Sequence, residues 1–196
     1  LFSVLAQVLV ILASGLMARD LGGGRRAQIF AAIAVALSPL PMFQATEFQY
    51  SSFDLLWWVL IAWCVIRLLR DDEPRWWVAI GIVAGLGLQT KYSIAFLLTG
   101  VLVGVLLTDA RRHVTSRWFW AGGAIALLLI LPNLIWLIRH DFVSYHFLQS
   151  IHARDVQEGR ADGFLRGQFL ANANLFAAPV WLAGLFACVK DRRYRM

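Results

Sequence analysis

The stretch WFWAGGAIALLLILPNLIWLI, residues 118–138, holds twenty-one consecutive side chains without a formal charge. An α-helix rises about 1.5 Å per residue, so about twenty apolar residues match a hydrocarbon core about 30 Å thick. In water such a segment would need an apolar partner on every side. As a membrane crossing it needs none.

Six further runs carry the same signature. Residues 1–18, 27–46, 55–66, 76–90, 92–108 and 167–189 are also free of Asp, Glu, Lys and Arg. Hydrophobic residues make up 60% of the 196-residue chain and charged residues 15%, against about 45–50% and about 25% in an ordinary soluble domain. A soluble core needs a charged shell, and this distribution supplies none. A soluble globular enzyme, a disordered chain and a disulfide-stapled secreted domain are therefore excluded. Cys64 and Cys188 each sit inside an apolar run, so neither a disulfide framework nor a thiolate metal site is visible.

The expected fold is all-α: one polytopic transmembrane domain over residues 1–196. About seven crossings are expected, at 1–18, 27–46, 54–70, 76–90, 92–108, 118–138 and 173–189. The fourth and fifth are short and separated only by Gln89-Thr90-Lys91-Tyr92-Ser93, which predicts a tight helical hairpin, because one continuous helix would bury Lys91 at the bilayer midplane. Gly81, Gly85 and Gly87 would let a neighbouring backbone approach closely. Pro132 is expected to kink the sixth helix.

The net charge of +6 looks like a nucleic-acid signal, but in a membrane protein the position of each basic residue matters more than the total. The loops 19–26, 67–75, 109–117 and 190–196 hold 13 of the 18 Lys and Arg, which places them in the cytoplasm by the positive-inside rule. Seven of the nine tryptophans (57, 58, 76, 77, 118, 120 and 136) stand at run ends, where an interfacial belt would put them. The partner is the lipid bilayer, and no nucleic acid is expected. The chain opens on Leu1 at the outer face without a basic leader, so at least one crossing and a first outer loop are expected upstream.

The polar residues with chemical potential gather on the opposite, outer side. Glu47-Phe48-Gln49-Tyr50-Ser51-Ser52-Phe53-Asp54 puts two carboxylates in a short loop with no basic partner in sequence. Glu47 and Asp54 would suit a divalent cation, a cationic group or a sugar hydroxyl. Ser51-x-x-Asp54 also has the form of a capping box, which would make Asp54 a helix cap only. Lys91 is the only charge between Arg75 and Asp109; at a hairpin turn it would hold a lipid-linked phosphate, or simply snorkel to the interface. The loop 139–172 carries Arg154 and Arg160, which could meet phosphate, and His140, His146 and His152 at a spacing of six that fits no familiar metal motif.

In order along the chain, several segments together resemble the bacterial glycosyltransferase family 39 branch of the protein-mannosyltransferase superfamily. They are Ala18-Arg19-Asp20-Leu21-Gly22-Gly23, Ser51-Ser52-Phe53-Asp54-Leu55-Leu56-Trp57-Trp58, Ile66-Arg67-Leu68-Leu69-Arg70, Gly85-Leu86-Gly87-Leu88-Gln89-Thr90-Lys91-Tyr92-Ser93, Leu131-Pro132-Asn133-Leu134-Ile135-Trp136 and Ala178-Pro179-Val180-Trp181-Leu182-Ala183-Gly184-Leu185. The resemblance implies a membrane transferase of the GT-C type in a bacterial inner membrane, working at the outer face on a polyprenyl-phosphate-linked sugar donor. It implies that Asp54 is the acidic residue opening the family's fourth helix and that Lys91 lies near the donor phosphate. The family's general base belongs to the first outer loop, ahead of Leu1, so the chain alone is expected to be inactive. A transporter or flippase is the main alternative, and it predicts charges near helix centres; these runs have almost none. A polymerase or ligase of lipid-linked glycans is the second.

Overall fold

A computed structural model of the chain describes residues 1–38, 42, 49–159 and 178–190. All regular structure among the described residues is helical. The elements are α1 (Phe2–Asp20), α2 (Arg25–Ala36), α3 (Tyr50–Asp71), α4 (Trp76–Thr90), α5 (Ile94–Leu107), a 3-10 helix (Asp109–Thr115), α6 (Arg117–Arg139), α7 (Val143–Gln157) and α8 (Ala178–Lys190). The chain divides into two units, Leu1–Leu131 and Pro132–Met196, and the division falls at Pro132 inside α6.

The helical membrane fold is present, but the count of about seven crossings is not. Among the described residues three helices are long and apolar enough to cross: α1, α3 and α6. A fourth is reached only if α5 and the 3-10 helix, bent by 110° from each other, form one broken span. Charge-free length in the sequence overstated helix length. The run 27–46 contains Pro39 and Pro41, and its helix α2 stops at Ala36 after 12 residues, as expected where a proline removes a donor and restricts the residue before it. Helices α4 and α5 have 15 and 14 residues, about 21–23 Å at 1.5 Å each, short of the hydrocarbon core. In the last run the described helix α8 has 13 residues.

The packing of α1 argues for lipid rather than water. Its buried face is small or polar, with Ser3, Ala6, Gln7, Val10 and Ala13, while Leu5, Leu9 and Leu12 point outward. A helix in water would reverse that arrangement; in a bilayer, hydrocarbon already solvates leucine, and small residues favour close helix contact. The same logic operates between α4 and α6. A Cβ on Gly81 would collide with the carbonyl of Gly122, and one on Gly122 with the carbonyl of Trp77. Gly85, one turn beyond Gly81, lies against Ala126 and Leu129. The backbones therefore touch through a Gly-x-x-x-Gly face, as Gly81 and Gly85 led one to expect. Trp77 and Phe119 close the contact edge-to-face with centroids 4.8 Å apart.

Side-chain contacts fix the helix directions in the first unit. Asp20 at the end of α1 meets Arg67 and Arg70 near the end of α3. Gly15 of α1 faces Gln28 and Ala32 of α2, so α2 runs back along α1. Trp57 near the start of α3 bonds Thr90 at the end of α4, and the pair α4–α5 forms the expected hairpin around Lys91. Asp72, just past α3, bonds Arg112 in the 3-10 helix that follows α5. The termini consequently sort to two ends, one bearing Asp20, Arg67, Arg70, Asp72 and Arg112, the other bearing Tyr50, Asp54, Lys91 and Ser93. In the second unit, Trp136 stacks on His140 at 4.2 Å, and α7 exposes Tyr145, Phe147 and Leu148.

Candidate functional site

The Asp54 end is built by a helix start and a helix turn that face each other. Helix α3 begins at Tyr50, preceded by the extended Gln49, whose side chain makes no cap hydrogen bond. Asp54 is therefore the fifth residue of the helix, beyond the four N–H groups that a cap can serve. The capping-box reading of Ser51-x-x-Asp54 is overturned for that reason. On the other side of the site, α4 ends where Lys91 turns extended (φ −158°, ψ 133°), its N–H donating to the Gly87 carbonyl at 2.9 Å. Gly87 itself is wedged against Trp57 and Ile94, so α3 and α5 close on the last turn of α4.

These two pieces bring Asp54 and Lys91 together across 37 positions of sequence. Lys91 Nζ lies 3.6 Å from Asp54 Oδ2, with the lysine side chain 45% exposed and the carboxylate 14%. Ser93 Oγ donates to Asp54 Oδ1 at 3.4 Å. The ammonium also sits over the ring of Tyr50, 5.7 Å from its centroid, a favourable cation–π distance. Trp57 Nε1 donates to Thr90 Oγ1 at 2.9 Å, which ties α3 to the residue before Lys91. A long, half-exposed ion pair of this kind contributes about 0–1 kcal/mol to stability. It leaves the ammonium able to exchange its partner for another anion.

The other end of the unit has a tighter arrangement. The Asp20 side chain is 1% exposed and pairs with Arg67 as well as with Arg70, whose Nη1 donates to Oδ1 at 2.6 Å. Trp63 Nε1 donates to Oδ2 at 2.8 Å. Arg67 lies between the rings of Trp63 and Trp76, 5.8 Å from each centroid, and reaches Asp71 at 3.6 Å. Here the carboxylate is satisfied from several sides, so the cluster fastens α1 to α3.

Of the residues singled out in the sequence, Asp54 and Lys91 are thus brought together. Glu47 and Arg160 lie outside the described residues. Arg154 belongs to the second unit, on α7, where it pairs with the adjacent Asp155 at 3.3 Å. Among the described residues no three His, Cys, Asp or Glu side chains converge as a metal site would require. Sequence reading gave no role to Tyr50, Thr90 or Ser93, and placed Trp57 only in the interfacial belt. Thr90 and Ser93 flank Lys91 in a quoted segment, so adjacency was their only signal.

Residues 1–136 match the protein family described as dolichyl-phosphate-mannose-protein mannosyltransferase. The chain is also similar to the lipid A galacturonosyltransferase RgtD of Rhizobium johnstonii, at 32% identity over 108 residues. That alignment covers 53% of this chain and 23% of the relative, so the chain spans about a quarter of the length of the curated relative it matches. No solved structure matches the chain.

Proposed function

Since the chain belongs to the dolichyl-phosphate-mannose-protein mannosyltransferase family, a family of membrane glycosyltransferases, we propose that it forms part of an enzyme that moves a sugar from a polyprenyl-phosphate donor to a lipid, glycan or protein acceptor. The reading rests on one observation above the others: the half-exposed ammonium of Lys91, paired loosely with Asp54 at 3.6 Å at one end of the helical unit. In the transfer, the acceptor oxygen bonds to the anomeric carbon as the bond from that carbon to the phosphate oxygen breaks. The acceptor gives up its proton to a carboxylate, and the leaving phosphate keeps the electron pair. Lys91 meets the charge growing on that phosphate. Asp54 holds the ammonium in place beforehand and, once the phosphate has taken the lysine, is free to accept from a hydroxyl. Glu47 is the second carboxylate of this loop, and Arg154 and Arg160 are further phosphate contacts in the proposal. A divalent cation between carboxylate and phosphate would serve the same chemistry.

The sidedness of the basic residues supports an inner-membrane location with the Asp54 end outward, since 19–26, 67–75 and 109–117 hold nine of the Lys and Arg. Charged residues collect at helix ends, which favours surface chemistry over a transport path. Lys91→Ala in the full-length protein, reconstituted with a polyprenyl-phosphate sugar, is expected to lower transfer at least tenfold, about 1.4 kcal/mol of transition-state stabilisation. Lys91→Arg should lose less but remain below wild type, because a planar fork does not replace a point charge. Normal transfer by a well-folded Lys91→Ala protein would contradict the proposal.

A further inference from the structure

Helices α4 and α6 open on one pattern, Arg75-Trp76-Trp77 and Arg117-Trp118-Phe119. They run side by side in the same direction, since Gly81 meets Gly122 and Gly85 meets Ala126. The two arginines therefore stand at the same end of the unit, away from Asp54 and Lys91. Both guanidinium groups lie against a single indole: Arg117 is 5.1 Å and Arg75 5.7 Å from the ring centroid of Trp118. Both side chains are exposed. The neighbouring carboxylates do not tie them up. Glu73 is 3.7 Å from Arg75, with both side chains half-exposed or more, a surface pair that exchanges readily for another anion. Asp72 is engaged with Arg112 and His113. The first turns of α4 and α6 bring the positive ends of two helix dipoles to the same place.

An apolar groove of about 180 Å³ begins at these arginines. Helices α4, α5 and α6 line it, with Trp77, Gly81, Leu98, Leu102, Phe119 and Gly123 among its walls, and no wall residue is charged. Trp77 and Phe119, each two residues past its arginine, meet edge-to-face at the arginine end. From Phe119 to Ala126 the groove follows α6 for seven residues, about 10 Å at the helical rise.

We propose that the groove seats an acyl chain of an anionic glycerophospholipid whose phosphate is held between Arg75 and Arg117. The inference does not depend on the glycosyltransferase reading, and it concerns the end of the unit opposite Asp54 and Lys91. The two halves of the site select the class together. A phosphate diester meets both guanidinium groups through charge-assisted hydrogen bonds, and Trp118 holds the two groups on one surface. A choline or ethanolamine headgroup would bring its own ammonium against those charges. A soluble anion would leave the groove unfilled, whereas a basic pocket between helices at the membrane surface suits an anionic lipid headgroup.

Native mass spectrometry of the full-length protein, released from nanodiscs holding equal phosphatidylglycerol and phosphatidylcholine, tests the assignment. Wild type is expected to retain phosphatidylglycerol about tenfold over phosphatidylcholine, since each arginine adds to the attraction. The double variant Arg75→Gln, Arg117→Gln should bring the two lipids to parity. Gly123→Leu keeps both arginines but sends a side chain into the groove, where a Cβ meets nothing within 4 Å, so it should lose the retained phosphatidylglycerol. Equal retention of the two lipids by wild type would overturn the inference, as would a preference that survives in the arginine double variant. Undiminished phosphatidylglycerol on Gly123→Leu would reduce the contact to surface charge and refute the acyl-chain seat. A polyprenyl phosphate added to the mixture should leave the bound phosphatidylglycerol in place; its displacement would make the groove a seat for the donor and contradict the assignment.

Discussion

The first unit holds two carboxylates that look alike in sequence and differ in their surroundings. Asp20 follows an apolar run and Asp54 opens one, and each has arginine or lysine partners far along the chain. Asp20 is closed in by three guanidinium groups, those of Arg19, Arg67 and Arg70, and by an indole, with its side chain 1% exposed. Asp54 has one ammonium at 3.6 Å and one hydroxyl at 3.4 Å, and the lysine is 45% exposed. A carboxylate with every lone pair engaged in a buried network holds helices together, whereas a pair that is long and half-wet can admit a ligand. The same residue types thus make a fastening at one end and a site at the other.

That contrast can be broken most forcefully at Asp20. Asp20→Ala leaves Asp71 as the remaining counter-charge for Arg67 and Arg70 and strips the Trp63 indole N–H of its acceptor, and because the lost carboxylate is buried the expected cost is about 3 kcal/mol. Thermal denaturation in detergent should show a large drop in melting temperature, with the transfer rate per folded molecule preserved. A stable Asp20→Ala protein that is catalytically dead would exchange the roles assigned to the two ends. A smaller effect is expected from Trp57→Phe, which deletes the bond to Thr90 while keeping the aromatic packing. The loss of one hydrogen bond corresponds to about 1 kcal/mol, seen as a modest fall in melting temperature and, because Thr90 precedes Lys91, a weaker binding of the phosphate donor. An unchanged donor affinity would show that Trp57 does not help to position Lys91.

The helical membrane class was legible from the charge-free runs, and the hairpin around Lys91 from their spacing. The number of crossings was not, because absence of charge does not measure helix length. Helix α2 stops at Ala36 although the charge-free run continues to 46, and α4 and α5 were short in sequence as they are in space. The close contact of α4 with α6 was half legible: Gly81 and Gly85 announced a small face, but nothing local identified Gly122 as its partner. At the site, Asp54 and Lys91 were each visible as isolated charges. Their pairing depends on the antiparallel placement of α3 and α4, a tertiary fact. The capping box at Ser51-x-x-Asp54 misled because a two-residue motif fits any register, and the helix started one residue ahead of Ser51. Trp63 was overlooked since it lies within a run rather than at its edge, yet it reaches Asp20.

The claim that the Asp54 end is a site and the Asp20 end a fastening is tested most directly by Asp54→Asn, with transfer and melting temperature measured on the same full-length preparation. The amide keeps the shape and one acceptor for Ser93 but loses the charge that holds Lys91 and grips a hydroxyl. Transfer is expected to fall about a hundredfold, about 2.7 kcal/mol of transition-state stabilisation, while the melting temperature moves little because the pair with Lys91 is half-exposed. Full activity, or a loss of activity matched by a loss of folded protein, would contradict the account.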